Sequence, residues 1–366
     1  MSRQTGSQRP VLGSPLAPVQ QLRGSWHRLV LWVVTLGTYV YLARRAAVLI
    51  LTSSYQYERA TIVDMVAFRA STPFQYRVLV PAIIHWFSAH GHGGVRALSE
   101  TAVWVSLFAV LVCFLALLRC FLPLGISVVL APTILPVLWW DHTQIGADHF
   151  LYLSDFPAVA FLALGITLFL RGRLGWFYLV FAVATLNRET SIFLTAAFVA
   201  LAYGREPPRR LAAHAVTQAA LWAVITFAIR HAFAGRPGAG MYELHLWVNL
   251  ELARQALLGT NATLTSSLPL LFSGAYAFVP LFWSRRSPEA KRLLWIVPME
   301  VAIMMVVGNI VEFRVYDDGL LVVLLNACIA VACFVAAADG EGMGRAADGE
   351  SVSVTGSDRE TKPLRT

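Results

Sequence analysis

The 366-residue chain is 57% hydrophobic and 14% charged, with a mean hydropathy of +0.62 and a formal net charge of +8. Soluble domains carry about 25% charged residues, so this composition excludes an ordinary soluble domain of this length. The positive charge is almost all arginine and is scattered between apolar runs. That pattern is typical of basic loops in membrane proteins, so we expect the lipid bilayer as a partner and no nucleic acid.

The N-terminal part predicts one membrane span followed by a long loop. Residues 1–25 are rich in Ser, Gln, Arg, Gly and Pro and are predicted to be a disordered cytoplasmic tail. A first span is predicted at about 27–51. In the loop 52–100, two segments at about 57–70 and 77–89 have helical patterns that are shorter than the ~20 residues a span needs. We expect both to lie along the membrane surface as interfacial helices.

The rest of the chain predicts about nine further spans and so an all-α, polytopic fold of about ten transmembrane helices. The spans are expected at about 101–118, 122–140, 156–170, 174–187, 190–204, 211–233, 268–283, 293–312 and 319–338. They belong to one integral membrane domain at 26–338 that includes a second long outer loop at 234–267. The Gly-, Ser- and charge-rich tail at 339–366 is predicted to be disordered.

Arginine and lysine placement predicts the orientation of the spans, because cytoplasmic loops are enriched in these residues. Three short loops between predicted spans are basic: Arg171 and Arg173; Arg205, Arg209 and Arg210; and Arg285, Arg286, Lys291 and Arg292. With all three inside, both termini are cytoplasmic and the loops 52–100 and 234–267 face outward. The Ala-, Leu- and Arg-rich composition indicates a bacterial inner membrane protein.

Ionisable residues collect in the segments predicted to face outward. Such residues at the ends of packed spans are costly unless they are paired or functional. Their convergence predicts an outward cavity lined with carboxylates and arginines. The candidate residues are Glu58, Asp64, Arg69, Arg77, Asp148, Asp155, Arg188, Glu189 and Arg314.

Several of these residues have more than one interpretation. The Asp and His residues within 141–155 either end a span or bind a metal. Their spacing matches no known set of metal ligands, so we assign no metal site. A divalent cation stays a possible cofactor. Arg188 and Glu189 form a structural pair, or Arg188 binds a phosphate. Glu300 lies within a predicted span and makes a structural hydrogen bond or belongs to a proton relay.

The chemistry that fits this set is transfer of a sugar from a polyprenyl-phosphate donor. The donor phosphate needs arginines at headgroup level. The lipid tail needs a groove between helices. The acceptor hydroxyl needs a carboxylate as general base, and an inverting transfer needs only one.

A short motif and the helix layout add a resemblance to this picture. The stretch Pro73-Phe74-Gln75-Tyr76-Arg77-Val78-Leu79-Val80-Pro81 looks like a P-F-x-Y-R-x-L-x-P pattern in bacterial membrane glycosyltransferases. Over about 27–233, the first span, long outer loop with two surface helices and helix module resemble the GT-C class of integral-membrane glycosyltransferases.

The resemblance implies a general base in the first outer loop, at Asp64 or second at Glu58. Arg77, with Arg188, Arg314 and Arg69, would hold the donor phosphate. The expected substrate-lining residues are Tyr76, Gln75, Asp148, Asp155 and Glu189. The implied activity moves a sugar to an envelope glycan, lipid or protein on the outer face. Two other classes compete with it: a transporter or lipid flippase, and a non-catalytic partner in envelope polysaccharide assembly.

Overall fold

The computed structural model describes residues 25–143, 150–236, 244–310 and 312–350. Within these ranges the chain consists of α-helices joined by short 3-10 turns, and it contains no β-strand. One isolated bridge pairs Tyr55 with Phe150. The all-α prediction is therefore confirmed for the part of the chain that the structure describes.

The helices of the N-terminal half include both long and very short segments. In chain order they are α1 (Ser25–Ser53), α2 (Ile62–Val66), α3 (Leu79–Ala89), α4 (Val95–Leu118), α5 (Leu124–Leu130), α6 (Ile134–Thr143), α7 (Asp155–Leu170) and α8 (Leu174–Asn187).

The helices of the C-terminal half end with the longest one. They are α9 (Phe193–Ala202), α10 (Pro208–Phe233), α11 (Leu246–Leu257), α12 (Ala262–Ser267), α13 (Pro288–Leu293), α14 (Ile296–Val307) and α15 (Asp317–Glu350).

Five helical segments of the described residues are long and apolar enough to cross a membrane, by length and composition. They are Leu29–Ser53, Val95–Leu118, Leu124–Thr143, Pro208–Phe233 and Phe313–Ala338. In addition, α7, α8 and α9 are shorter apolar helices at positions where spans were predicted. These segments fit a helical membrane protein.

Proline and glycine explain several helix boundaries. Pro132 has no backbone N–H, and residues Ala131–Thr133 accordingly form a 3-10 turn that joins α5 to α6. Pro208 stands at the first position of α10, where its missing N–H costs no helical hydrogen bond. Gly172, with φ +70°, lets the chain leave α7 and turn directly into α8.

The last helix lies at the centre of the fold. In Phe313–Ala338, 67% of the most apolar window is buried, against 6% for Pro208–Phe233. The helix α15 packs on α7, α14 and the irregular segment Leu268–Phe278. By contrast, α10 presents most of its surface outward, as expected of a helix that faces lipid.

The structure differs from the predicted spans in the C-terminal third. The apolar run at 268–283 does not form a continuous α-helix. Leu268–Phe278 makes 3-10 turns that are interrupted by left-handed backbone at Phe272, Ser273 and Gly274. Glycine adopts this conformation without a steric penalty, so Gly274 favours a break in the helix here. Hydropathy alone cannot register such a break.

Two further boundaries also differ from the prediction. The span expected at 293–312 is represented by the 12-residue α14. The backbone of α15 continues to Glu350, into the tail predicted to be disordered. Propagating an existing helix avoids the cost of nucleation, which accounts for the extension. Residues 1–24 of the tail predicted at 1–25 and residues 351–366 of the tail predicted at 339–366 lie outside the described residues.

Glu300 fastens α14 to the start of α15. Its Oε2 accepts the backbone N–H of Gly319 at 2.6 Å, and the side chain is fully buried. A Cβ atom built on Gly319 would collide with the same carboxylate oxygen. Of the two interpretations offered by the sequence, the structure shows the structural hydrogen bond.

We expect Gly319→Ala to destabilise the protein, because the added methyl group collides with the buried Glu300 carboxylate. Overpacking of this kind costs about 1–3 kcal/mol. Thermal unfolding of the purified protein in detergent measures the change. The matched control is Gly175→Ala, where an added Cβ meets no atom within 4 Å. Equal stability of both variants would contradict the tight α14–α15 contact.

Candidate functional site

A cavity lies where several loops that were predicted to face outward meet. Its volume is about 640 Å³. Ligand sites in proteins typically occupy about 300–1,000 Å³. Its wall is built by the turn Phe74–Tyr76, the segment before α7, the turn between α8 and α9, one face of α10 and the end of α14. Segments far apart in sequence therefore share one enclosed space.

A single carboxylate organises the polar wall of this cavity. Asp155, at the first position of α7, is 0% exposed. Its Oδ1 lies 3.3 Å from Nη1 of Arg188 and 3.8 Å from Nη1 of Arg77. Its Oδ2 lies 3.3 Å from Nη1 of Arg314. The three arginines are themselves buried and all line the cavity, whereas Asp155 stands behind them.

Neighbouring groups hold this cluster in place. The Ser154 hydroxyl accepts a long hydrogen bond from Arg77 Nη1 at 3.5 Å. The Asn187 side chain donates to the Ser154 backbone carbonyl at 2.8 Å. This bond ties the end of α8 to the start of α7. Arg188 follows directly after Asn187, so the same bond fixes where its side chain begins.

Two stacked rings support the arginines from the side. Phe74 and Tyr152 stack with centroids 4.4 Å apart. The Arg77 guanidinium lies 5.0 Å from the Phe74 centroid, and that of Arg314 lies 4.2 Å from the Tyr152 centroid. Planar guanidinium groups interact favourably with aromatic faces. The rings therefore keep the two arginines in fixed orientations.

Two further carboxylates stand at the cavity surface. Glu189 Oε1 lies 3.6 Å from Nη2 of Arg77, and its side chain is 37% exposed. Glu312 makes a close ion pair with Arg314 and is 18% exposed. The ion pair of Glu189 with Arg77 is therefore longer than that of Glu312 with Arg314, and the Glu189 side chain is the more exposed of the two carboxylates.

The arginines have hydrogen-bonding capacity left over. The Nε atoms of Arg77, Arg188 and Arg314 are buried and have no hydrogen-bond partner. Burial lowers the pKa of the Arg77 guanidinium, and the nearby Glu189 carboxylate opposes that shift. An additional anion in the cavity would stabilise the charged form of Arg77 further.

The cavity lining also includes apolar side chains. It contains Ile303, Met304 and Val307 of α14, Ile229 of α10, and Leu244. The cavity consequently presents arginines at one part of its wall and aliphatic side chains at another. This division suits a ligand that has both an anionic group and an apolar chain.

The structure brings together many of the residues singled out from the sequence. Arg77, Arg188, Arg314 and Glu189 line the cavity, together with Tyr76. Asp155 supports them from behind. Gln75 is buried and does not belong to the lining.

The other predicted residues of the first loop lie elsewhere. Among the described residues, neither Asp64 nor Glu58 belongs to the cavity lining. Asp64 Oδ2 accepts the Thr61 hydroxyl at 2.6 Å, and Thr61 in turn caps α2. Asp64 also lies 3.6 Å from the exposed Arg69. The structure thus gives Asp64 a capping contact, and its role as a base stays a prediction. Asp148 lies outside the described residues.

Several lining residues were missed by sequence reasoning. Glu312 is the last residue of the span predicted at 293–312, and Trp222 and Arg230 lie within the span predicted at 211–233. The only sequence feature that could have identified them is a polar or aromatic side chain within a run predicted to be an apolar span. The Trp222 indole donates to the backbone carbonyl of Glu189 at 2.9 Å, which positions the turn that carries Glu189.

Of the Asp and His residues predicted to end a span or bind a metal, His142 forms a buried pair with the first residue of α15. His142 Nε2 lies 3.0 Å from Asp317 Oδ2, and both side chains are buried. Asp141 is also buried, and neither of its carboxylate oxygens has a hydrogen-bond partner. No group of three or more His, Cys, Asp or Glu residues with the geometry to hold a metal ion occurs among the described residues.

No protein-family model matches this sequence, and no curated protein matches it significantly. Over its described residues the chain is an all-α protein of the membrane type, with a cavity whose lining includes several arginines.

We expect Asp155→Asn to destabilise the protein strongly, because it leaves three buried arginines without their shared counter-charge. Removing one partner of a buried ion pair typically costs about 3–5 kcal/mol. Thermal unfolding in detergent measures the loss. The control is Glu251→Gln, which removes an exposed carboxylate paired with Arg254; such exposed pairs contribute about 1 kcal/mol or less. Similar shifts in both variants would show that the Asp155 cluster contributes little.

Proposed function

We propose that the protein is a membrane glycosyltransferase that moves a sugar from a polyprenyl-phosphate donor to an envelope acceptor. The observation that carries the proposal is the divided wall of the cavity, with Arg77, Arg188 and Arg314 on one part and the aliphatic face of α14 on another. A lipid-linked sugar phosphate has the same division between an anionic group and an apolar chain.

In this proposal the donor phosphate binds to the arginines. All three arginines line the cavity, and arginine binds phosphate with several parallel hydrogen bonds. Arg77 is the arginine most readily recruited, since its contact with Glu189 spans 3.6 Å and is longer than a hydrogen bond. Aliphatic side chains of α14 would contact the first units of the polyprenyl chain.

The incoming phosphate also suggests how a base becomes available. When the phosphate takes over Arg77, the Glu189 carboxylate loses its ion pair and keeps its exposed position in the cavity. Glu189 then accepts the proton of the acceptor hydroxyl. The acceptor oxygen bonds to the anomeric carbon while the bond from that carbon to the phosphate oxygen breaks, and the electron pair leaves with the polyprenyl phosphate.

Asp64, with Glu58 as second choice, is the other proposal for the base and follows from the resemblance to GT-C enzymes. For Asp64 to act, the segment around α2 would have to deliver its carboxylate to the cavity. Glu189 needs no such movement. The two proposals therefore predict opposite effects of Glu189→Gln and Asp64→Asn on sugar transfer.

The proposal also includes the finer topology of the prediction. About ten spans in a bacterial inner membrane, with both termini cytoplasmic, would open the cavity to the outer face. That is the side on which polyprenyl-phosphate sugars are used by enzymes of the class it resembles. A tag at either terminus that is protected from protease in intact cells would support this orientation.

We expect Arg77→Gln to abolish the product glycan, because the donor phosphate loses a charged ligand and only a shorter, uncharged polar side chain remains. The measurement is the envelope glycan profile of the source strain, with the chromosomal copy deleted and variants supplied in trans. Membrane levels of each variant are measured in parallel. The control is Arg96→Gln, which removes an exposed arginine paired with Glu100. A normal profile with Arg77→Gln would contradict the proposal and favour a transporter or a non-catalytic partner.

We expect Glu189→Gln to lower transfer by about 100-fold or more, the usual contribution of a general base, and Asp64→Asn to leave it near wild type. The same strain and glycan profile measure both, at equal membrane levels. The reverse result would assign the base to Asp64 and leave Glu189 as the partner of Arg77. Normal transfer in both variants would exclude both carboxylates as the base.

A further inference from the structure

A second site lies away from the cavity, at the irregular segment that follows α12. An open apolar groove of about 550 Å³ runs between this segment, α14 and α15. Its lining includes Phe272, Tyr276, Trp283, Leu294, Val297 and Val323. The groove is nearly all hydrocarbon and aromatic surface, so it suits an aliphatic chain.

A buried cation stands at one end of this groove. Arg286 is only 4% exposed, and its guanidinium lies 5.8 Å from the ring centroid of Trp283, which lines the groove. Its Nη2 donates to the backbone carbonyls of Phe278 and Leu281 at 2.7 and 2.9 Å. These two carbonyls flank Val279 and Pro280, which also line the groove.

Arg286 has no acidic partner among the described residues. Its remaining contact is with the Asn326 side-chain oxygen, at 2.9 Å from Nη1. Its Nε is buried and has no hydrogen-bond partner. A buried charge that is bonded only to neutral groups is costly, and a nearby anion would offset that cost.

Two more cations stand at the same end of the groove. Lys291 Nζ lies 5.3 Å from the Trp283 centroid, and Arg285 lies exposed beside Phe282. The acid of this region, Glu289, already makes a close ion pair with Arg205. The positive charge next to the groove is therefore not balanced by the described residues around it.

We infer that this groove binds an anionic phospholipid of the bilayer, with one acyl chain in the groove and the phosphate against Arg285, Arg286 and Lys291. The charge excess selects a headgroup with net negative charge over a zwitterionic one. The partly exposed Trp283 lies at the boundary, as tryptophan does at membrane–water interfaces. The inference is independent of the proposed transferase, because it uses no residue of the cavity.

The test is native mass spectrometry of the full-length protein in detergent with an equimolar mixture of phosphatidylglycerol and phosphatidylcholine. The wild type is expected to retain phosphatidylglycerol preferentially. Each cation near an anionic lipid surface contributes about fivefold in affinity. The double variant Arg285→Gln/Lys291→Gln should therefore reduce that preference by at least about fivefold. Both side chains are partly or fully exposed, so folding should persist, as verified by thermal unfolding.

The matched control is Arg209→Gln, which removes an exposed arginine from another basic loop. It should keep the wild-type preference. Val297→Trp, which fills the groove, should lower retention of both lipids while Arg209→Gln does not. Equal loss in Arg209→Gln and the double variant would overturn the inference in favour of a diffuse effect of net charge. Unchanged preference in the double variant would overturn it outright.

Discussion

The structure depends on one buried carboxylate that three arginines share. Asp155 begins α7, and its partners Arg77, Arg188 and Arg314 come from three segments distant in sequence. In a low-dielectric interior an uncompensated guanidinium is costly, so each of these segments is held where its arginine can reach the acid. The polar wall of the cavity follows from this requirement.

The two sites balance their positive charge in different ways. In the cavity, Arg77 and Arg314 each face a carboxylate at the surface, Glu189 and Glu312 respectively. At the groove, Arg286 is bonded to neutral acceptors. The first arrangement suits the exchangeable donor of the proposed transferase. The second suits the lipid that we infer stays bound to the folded protein.

Sequence reasoning worked best where one local signal was decisive. Long apolar runs without an internal proline became the long helices α1, α4 and α10, because each satisfies its own backbone hydrogen bonds. The same reasoning predicted a continuous span at 268–283, where the run is apolar enough for one but left-handed backbone around Gly274 interrupts the helix. It also selected Asp64 as the general base, whereas in the structure the Asp64 carboxylate accepts a hydrogen bond from Thr61, the residue that caps α2.

By itself, the sequence determined the fold class, the membrane character and the grouping of ionisable residues between apolar runs, because hydropathy and charge placement are local properties that the bilayer makes costly to violate. The tertiary structure decided which of those residues meet. Asp155 and Arg314 are adjacent only after α7 packs against α15. The Trp222 side chain of α10 contacts the backbone of Glu189 only after α10 packs against the turn between α8 and α9. Such contacts depend on helix packing angles and side-chain directions, which no spacing along the chain specifies.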